Sequence, residues 1–323
     1  MPAFSSIISH AARKVNRTEK FVIKIYDFSR PFEEVRRALA FSKKVEYNCG
    51  MSDLHTHSAF SPDGVSPLEE MAARAHEQGI QYFGVSEHFD FDYAACGILI
   101  HGEIMPLTDE EGYFSAACAL QREYESKGMR LLVGGEYGFC PDKGCCERYL
   151  ALTERQKPDF IINSVHTVDG ADCYFPEYFE GKSREQAYGD YLERVRESLD
   201  APYPYDIVAH IGYVGRKAPY PDRMLRYDDF PALFDDILKT IVEKGKILEV
   251  NSSTRGIGAP FLPDAGVLAR YFELGGRRLS FGSDAHDISR IAEGRETAAA
   301  ALKALGFTAL TIPDCGEYKE ILL

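Results

Sequence analysis

Nine histidines are present, and six of them fall in five short segments: DLHTH at 53–57, VSEH at 85–88, NSVH at 163–166, VAH at 208–210 and GSDAH at 282–286. Each segment closes an apolar run of strand length, and Glu136, at the end of LLVGGE, closes another. His55 and His57 flank a single residue, as do Asp284 and His286, so in extended backbone both members of a pair face the same side. Imidazole nitrogens combined with carboxylate oxygens form the donor set of zinc, iron or manganese sites and need no thiolate. One histidine past a strand is ordinarily just a hydrogen-bonded polar residue. Repetition of the pattern, with His55, His57, His88, His166, His210, His286, Glu136 and Asp284 all at strand ends, points instead to a site for several ions and to hydrolysis. His10, His76 and His101 stand outside the pattern.

Such a site needs a scaffold that brings many strand ends together. From Met51 onward, apolar runs alternate with amphipathic helical patterns. Strands are expected at 81–86, 130–135, 159–165, 206–209, 246–250 and 278–282, with a short one ending at Leu54. Helices are expected around 66–78, 183–199, 228–244, 264–274 and 295–305. In the first of these, Ser66 reads as the N-cap, Pro67 as the first helical residue, Glu69 as the partner in a capping box and Gly79 as the stop. Seven strands alternating with helices over about 270 residues imply an α/β architecture with a parallel sheet, and the length suits one (β/α) barrel. In that fold the strand ends share the C-terminal rim, where active sites are built.

Composition sets further bounds. The chain has 323 residues, of which 45% are hydrophobic and 27% charged, as in a globular enzyme. A formal charge of −13 disfavours a nucleic-acid partner, so an anionic substrate must be drawn in by a local positive centre. No apolar run approaches the roughly 18 residues of a membrane span. The eight cysteines form no C-x-x-C pair and read as reduced thiols of a cytoplasmic protein; Cys140, Cys145 and Cys146 are the one local cluster, taken as structural. The first fifty residues hold ten Lys+Arg against five Asp+Glu, leaving 27 against 45 for the rest. Residues 1–50 are therefore expected to be an extension, and residues 51–323 the catalytic domain.

The segments DLHTHSAFSPDG, VSEH, GGEYGF, SVHTVDG, AHIGY and FGSDAH resemble, in order, the motifs of the PHP (polymerase and histidinol phosphatase) superfamily, most closely its monofunctional histidinol-phosphatase branch. The resemblance runs from Met51 to about Asp287 and implies a distorted seven-stranded (β/α) barrel holding three divalent ions, zinc, iron or manganese. It implies one ion on His55, His57, Glu136 and Asp284, a second bridged by Glu136 and bound by His166 and His210, and a third on Asp63, His88 and His286. Asp63 stands where some members have histidine. Such ions activate water and neutralise phosphate oxygens.

Basic side chains must still grip a phosphate. Arg255, in EVNSSTRG past the strand at 246–250, would lie on the rim, where its planar fork suits phosphate oxygens. Arg216 and Lys217 follow AHIGY by a few residues and are further candidates. Glu177 and Glu180, in the aromatic and acidic stretch YFPEYFEGKSR, could receive the ammonium of an amino-alcohol phosphate. The function expected is a metal-dependent phosphomonoesterase converting the small metabolite L-histidinol phosphate to histidinol in histidine biosynthesis, with Glu136, Asp284, His286 and Arg255 at the reacting centre. The alternatives are a phosphoesterase for a nucleotide or RNA end, and a catalytically silent metal-binding module.

Overall fold

The computed structural model describes residues 51–100 and 103–323. The expected extension, with His10 and Cys49, lies outside the described residues, as does His101.

Seven strands form one parallel sheet in chain order: β1 (Ser52–Asp53), β2 (Tyr82–Phe89), β3 (Arg130–Gly138), β4 (Phe160–Ser164), β5 (Ile207–Val208), β6 (Ile247–Asn251) and β7 (Leu279–Gly282). The sheet closes on itself just beyond its first and last strands. Leu54 N donates to Phe281 O at 3.0 Å, Asp284 N to His55 O at 2.8 Å and His57 N to Ala285 O at 2.8 Å. The expected seven-stranded (β/α) barrel is therefore present, made uneven by two walls, β1 and β5, of only two residues each.

Strands β2 and β3 run three residues past the ends expected from their apolar runs. Their ladder continues from Tyr82 opposite Arg130 to Phe89 opposite Tyr137, so His88 and Glu136 are paired strand residues. Polar side chains end the apolar pattern there, but the backbone keeps pairing because those side chains enter the barrel mouth.

Alternation along the strands sorts the interior from the outer wall. Leu54, Leu132, Phe160, Ile162, Ile207, Ala209 and Ile247 fill the barrel, whereas Leu131, Val133, Leu248 and Val250 face the helices. Gly134 leaves room for this filling, since a Cβ there would lie 2.5 Å from the Phe160 ring. Climbing each strand toward its carboxyl end, the interior positions turn polar: Leu132 gives way to Glu136, and Ile247 to Glu249 and Asn251.

The surrounding helices are α1 (Leu68–Glu77), α2 (Phe91–Cys96), α3 (Glu110–Glu125), α4 (Lys143–Gln156), α5 (Arg184–Ser198), α6 (Pro231–Glu243), α7 (Ala265–Glu273) and α8 (Arg295–Leu305). Five match expectation within three residues at each end; α2, α3 and α4 were not among those expected. The capping box expected at α1 is absent. Pro67 takes the cap position without a side-chain bond, because the Ser66 hydroxyl accepts instead from Ile288 N at 3.1 Å in the loop after β7. A capping box does form at α5, between Ser183 and Gln186.

A hairpin of β8 (Ala309–Asp314) and β9 (Glu317–Leu322) seals the N-terminal mouth, with Ile312 packed on the barrel interior. Asp314 receives Arg130 from the start of β3 at 2.7 and 3.2 Å, and Tyr318 donates to Asp206 before β5 at 3.1 Å. With the bottom closed, the polar upper end is the accessible one. Among the described residues no helix is long and apolar enough to cross a membrane.

Candidate metal centre

Eight of the nine candidate ligands, all but the exposed Asp63, line the C-terminal mouth at positions of less than about one-eighth exposure. Glu136, fully buried on β3, is the hub. Its Oε2 lies 3.2 Å from His55 Nε2, 3.5 Å from His57 Nε2 and 3.0 Å from His88 Nδ1. Its Oε1 lies 3.2 Å from His166 Nε2 and 2.9 Å from His210 Nε2. Asp284 Oδ1 completes the first group at 3.4 Å from His57 Nε2 and 3.9 Å from His55 Nε2. On the outer side, Asp63 reaches His286 Nε2 at 3.0 Å and His88 Nε2 at 3.7 Å. His88 thus stands between the outer group and Glu136, with its ring stacked on that of His57 at 4.1 Å.

These separations test whether metal would fit. Donors bound at about 2.0–2.1 Å to a tetrahedral ion sit roughly 3.3 Å from one another. The contacts of the inner groups scatter around that value. His55 Nε2, His57 Nε2, His286 Nε2 and Glu136 Oε2 are moreover buried without a hydrogen-bond partner in the protein. Polar atoms are not normally left so, and a cation facing several lone pairs is the chemistry that satisfies them together. The residues fit.

Partners one layer out fix the ligand atoms. Glu249 Oε1 holds His55 Nδ1 at 2.6 Å, which puts the ring proton there and leaves the Nε2 lone pair facing Glu136. Glu249 Oε2 accepts from His210 N at 2.7 Å and from Asn251 Nδ2 at 3.2 Å. Gly282 is required beside it, because a Cβ would stand 2.3 Å from Glu249 Oε1 and 2.5 Å from His55 Cβ. Asp90 lies 3.6 Å from His166 Nδ1 and 3.7 Å from His88 Nδ1. Glu87 pins the loop that carries His57 and Asp63, accepting from Ser58 Oγ at 2.6 Å and Ser61 Oγ at 2.5 Å. Asp53 does the same for the Asp284 loop, through Ser283 and Ala292 N at 2.8 Å. Asp284 itself takes the left-handed φ of 53°, a sparsely populated conformation held by its bond to His55 O.

Electrostatics follow from this packing. Burial opposes ionisation of Glu136, but the rings of His55, His88 and His166 outweigh it and hold the carboxyl well below its ordinary range. Burial likewise opposes Asp284, which Arg216 and the neighbouring histidines keep ionised. Arg216 is buried: its Nη2 donates to Asp284 Oδ2 at 2.7 Å and Asn251 Oδ1 at 3.2 Å, and its guanidinium lies 5.0 Å from the centre of the Tyr213 ring. Burial pushes the Asp53 carboxyl up to about 6.

The other candidates lie at the surface. Arg255 is exposed past β6 with φ of 46°, its Nε donating to Ser253 Oγ at 3.3 Å. Lys217 is exposed with its ammonium 5.4 Å from the centre of the Tyr174 ring. Glu177 and Glu180 are exposed in and after the 3-10 turn Pro176–Phe179. Sequence reasoning passed over Glu249, Asp90 and Asn251. Glu249 did leave a signal, a carboxylate inside the apolar strand ILEVN, where an acidic residue is rarely buried without a partner.

Fold and site together define a closed (β/α) barrel whose carboxyl-end mouth gathers histidines and carboxylates into groups that could hold metal ions. Residues 53–253 match the PHP domain, and the chain belongs to that family. A histidinol-phosphatase of Lactococcus lactis is 27% identical over 243 residues, covering 74% of this chain and 85% of its own. A probable histidinol-phosphatase of Thermotoga maritima is 26% identical over 271 residues, covering 81% and 95%. The crystal structure of histidinol phosphate phosphatase from Lactococcus lactis, complexed with zinc, L-histidinol and phosphate, superposes with a TM-score of 0.72 at 24% identity. That superposition covers 84% of this chain and 99% of the other, and establishes the fold.

Proposed function

We propose that the protein is a metal-dependent phosphomonoesterase that hydrolyses L-histidinol phosphate to histidinol and phosphate in histidine biosynthesis, a role that implies a cytoplasmic location. The observation that carries the chemistry is the division of Glu136, one oxygen facing His55 and His57 and the other facing His166 and His210. A carboxylate so placed would serve two ions, one through each oxygen. The substrate assignment rests on the relatives named histidinol-phosphatase, which match most of both chains.

In this reading His55, His57, Glu136 and Asp284 would hold one divalent ion, Glu136, His166 and His210 a second, and Asp63, His88 and His286 a third, each being zinc, iron or manganese. Bound there, the ions supply an activated water and charge neutralisation for an in-line displacement at phosphorus. The chain's own residues do the rest. Glu249 and the His286 bond to Asp284 O at 3.0 Å keep protons off the ligating nitrogens. Arg216 keeps Asp284 ionised and adds fixed positive charge beneath the substrate. Arg255 and Lys217, both exposed, would close on the phosphate. Glu177 and Glu180 receive the substrate ammonium. A phosphate-release screen of the metal-loaded protein over histidinol phosphate, nucleotides and aryl phosphates tests the assignment. Histidinol phosphate should lead in kcat/KM; a nucleotide in that place, or no release from any ester, would reject it.

A further inference from the structure

Four cysteines meet between α2 and the start of α4, and none belongs to the candidate ligand groups. Cys96 ends α2 and is partly exposed, Cys140 lies two residues past β3, and Cys145 and Cys146 sit in the first turn of α4. Although 44 positions apart in sequence, Cys96 Sγ and Cys140 Sγ are 3.5 Å apart. The Cys146 thiol donates to Cys140 O at 3.3 Å and is thereby occupied. A disulfide needs its sulfurs at about 2.05 Å, so a closure of about 1.5 Å would join the first pair. Cys96 can supply that movement. It is the last residue of a six-residue helix, followed by Gly97 in the left-handed conformation at φ 65°.

We propose that Cys96 and Cys140 form a site of reversible oxidation, joined into a disulfide by hydrogen peroxide. The surroundings divide the two roles. Hydrogen bonds from Cys145 and Cys96 lower the Cys140 thiol below its ordinary range, which favours it as the attacking sulfur. The same bond to Cys140, with burial, pushes the Cys96 thiol up and keeps it protonated. The Cys140 thiolate attacks one peroxide oxygen; the O–O bond breaks, hydroxide leaves and takes up a proton, and Cys140 carries S–OH. Cys96 sulfur then attacks Cys140 sulfur, and its proton leaves with the displaced hydroxyl as water. Two thiols have given up two electrons and two protons, and one peroxide has become two waters. Cys145, almost fully buried within a helical turn, is the proton donor to Cys140 and not the resolving thiol.

The sequence makes the product easy to read. Trypsin cleaves after Arg74, Arg122, Arg130, Lys143 and Arg148, which puts Cys96 on 75–122, Cys140 on 131–143 and Cys145 with Cys146 on 144–148. The full chain, loaded with zinc so that the metal is redox-inert, is treated with a small excess of hydrogen peroxide, denatured and mapped without reduction. Free thiols should fall from eight to six, peptides 75–122 and 131–143 should be linked, and dithiothreitol should restore both. Cys118→Ser, which removes the other cysteine of 75–122, should leave the link intact. Cys96→Ser should abolish it and leave Cys140 as a sulfenic acid trapped by dimedone. Retention of all eight thiols, a link between 131–143 and 144–148, or a link lost in Cys118→Ser would overturn the proposal. The map of the unsubstituted chain decides even if Cys96→Ser does not fold.

Discussion

Replacing Glu249 with glutamine changes one atom and should disable His55 as a ligand. Both carboxylate oxygens accept: Oε1 from His55 Nδ1 at 2.6 Å, Oε2 from His210 N at 2.7 Å. A glutamine offers one oxygen and one NH2 group. The backbone N–H of His210 cannot change its polarity, so the amide oxygen must serve it, and the NH2 then faces His55 Nδ1. To avoid two donors in contact, His55 must move its proton to Nε2, the atom 3.2 Å from Glu136 that the account assigns to metal. Loss of such an outer partner lowers metal affinity or activity about 10- to 100-fold, which is about 1.4–2.7 kcal/mol. Affinity is read by competition with a chromogenic chelator, and turnover by phosphate release from histidinol phosphate at rising metal concentration. Glu249→Gln should show weaker metal binding and a kcat that excess metal largely restores. Unchanged metal affinity in a correctly folded variant would refute the reasoning.

Four further outcomes are expected. Glu136→Gln should damage two metal-binding groups together and cost at least about 3 kcal/mol in kcat, with a smaller change in KM; near-normal turnover at full metal content would contradict this. Arg255→Ala should lose about 2–4 kcal/mol in kcat/KM on every phosphomonoester with metal content unchanged, because a charge-assisted contact to phosphate disappears. Replacing Glu177 or Glu180 should instead harm histidinol phosphate and spare an aryl phosphate, and equal losses on both would remove these acids from recognition. At the barrel bottom, burial opposes ionisation of Asp314, yet Arg130 and Lys319 bring its carboxyl down to about 2. A folded-state value depressed below the unfolded one adds stability that is present above about pH 4 and lost as pH falls toward 2. Urea unfolding should show Asp314→Asn about 1–2 kcal/mol less stable at pH 7, with the gap narrowing below pH 4; a gap independent of pH would exclude the ion-pair origin.

The rim of the barrel was legible in the sequence because candidate metal ligands on such a rim must follow strands, so His166, His210, Asp284 and His286 mark strand ends as well as candidate chemistry. The same coincidence misplaced the ends of β2 and β3, where His88 and Glu136 break the apolar run while still inside the ladder. Ser66 shows the limit of local motif reading. The capping box expected there does not form, because Ile288, more than two hundred positions away, takes the hydroxyl. The C-terminal hairpin escaped for a similar reason: an alternating strand such as β9 reveals its partner only once Ile312 is seen to plug the barrel. Glu249 and Asp90 act through other side chains; Asp90 looks like an ordinary acid in the sequence, and Glu249 is marked only by its place inside the apolar run ILEVN. Arg216 was legible as a cation near the site, but not as the buried partner of Asp284.

The central claim is that the grouped histidines and carboxylates hold ions that perform phosphomonoester hydrolysis. Its most direct test is to strip the protein with a chelator, add back zinc or manganese in measured equivalents, and follow bound metal and phosphate release from histidinol phosphate together. The metal-free protein should be silent, and activity should rise with occupancy and level off near three ions per chain. Full activity in the stripped protein, or three bound ions with no phosphate released, would contradict it.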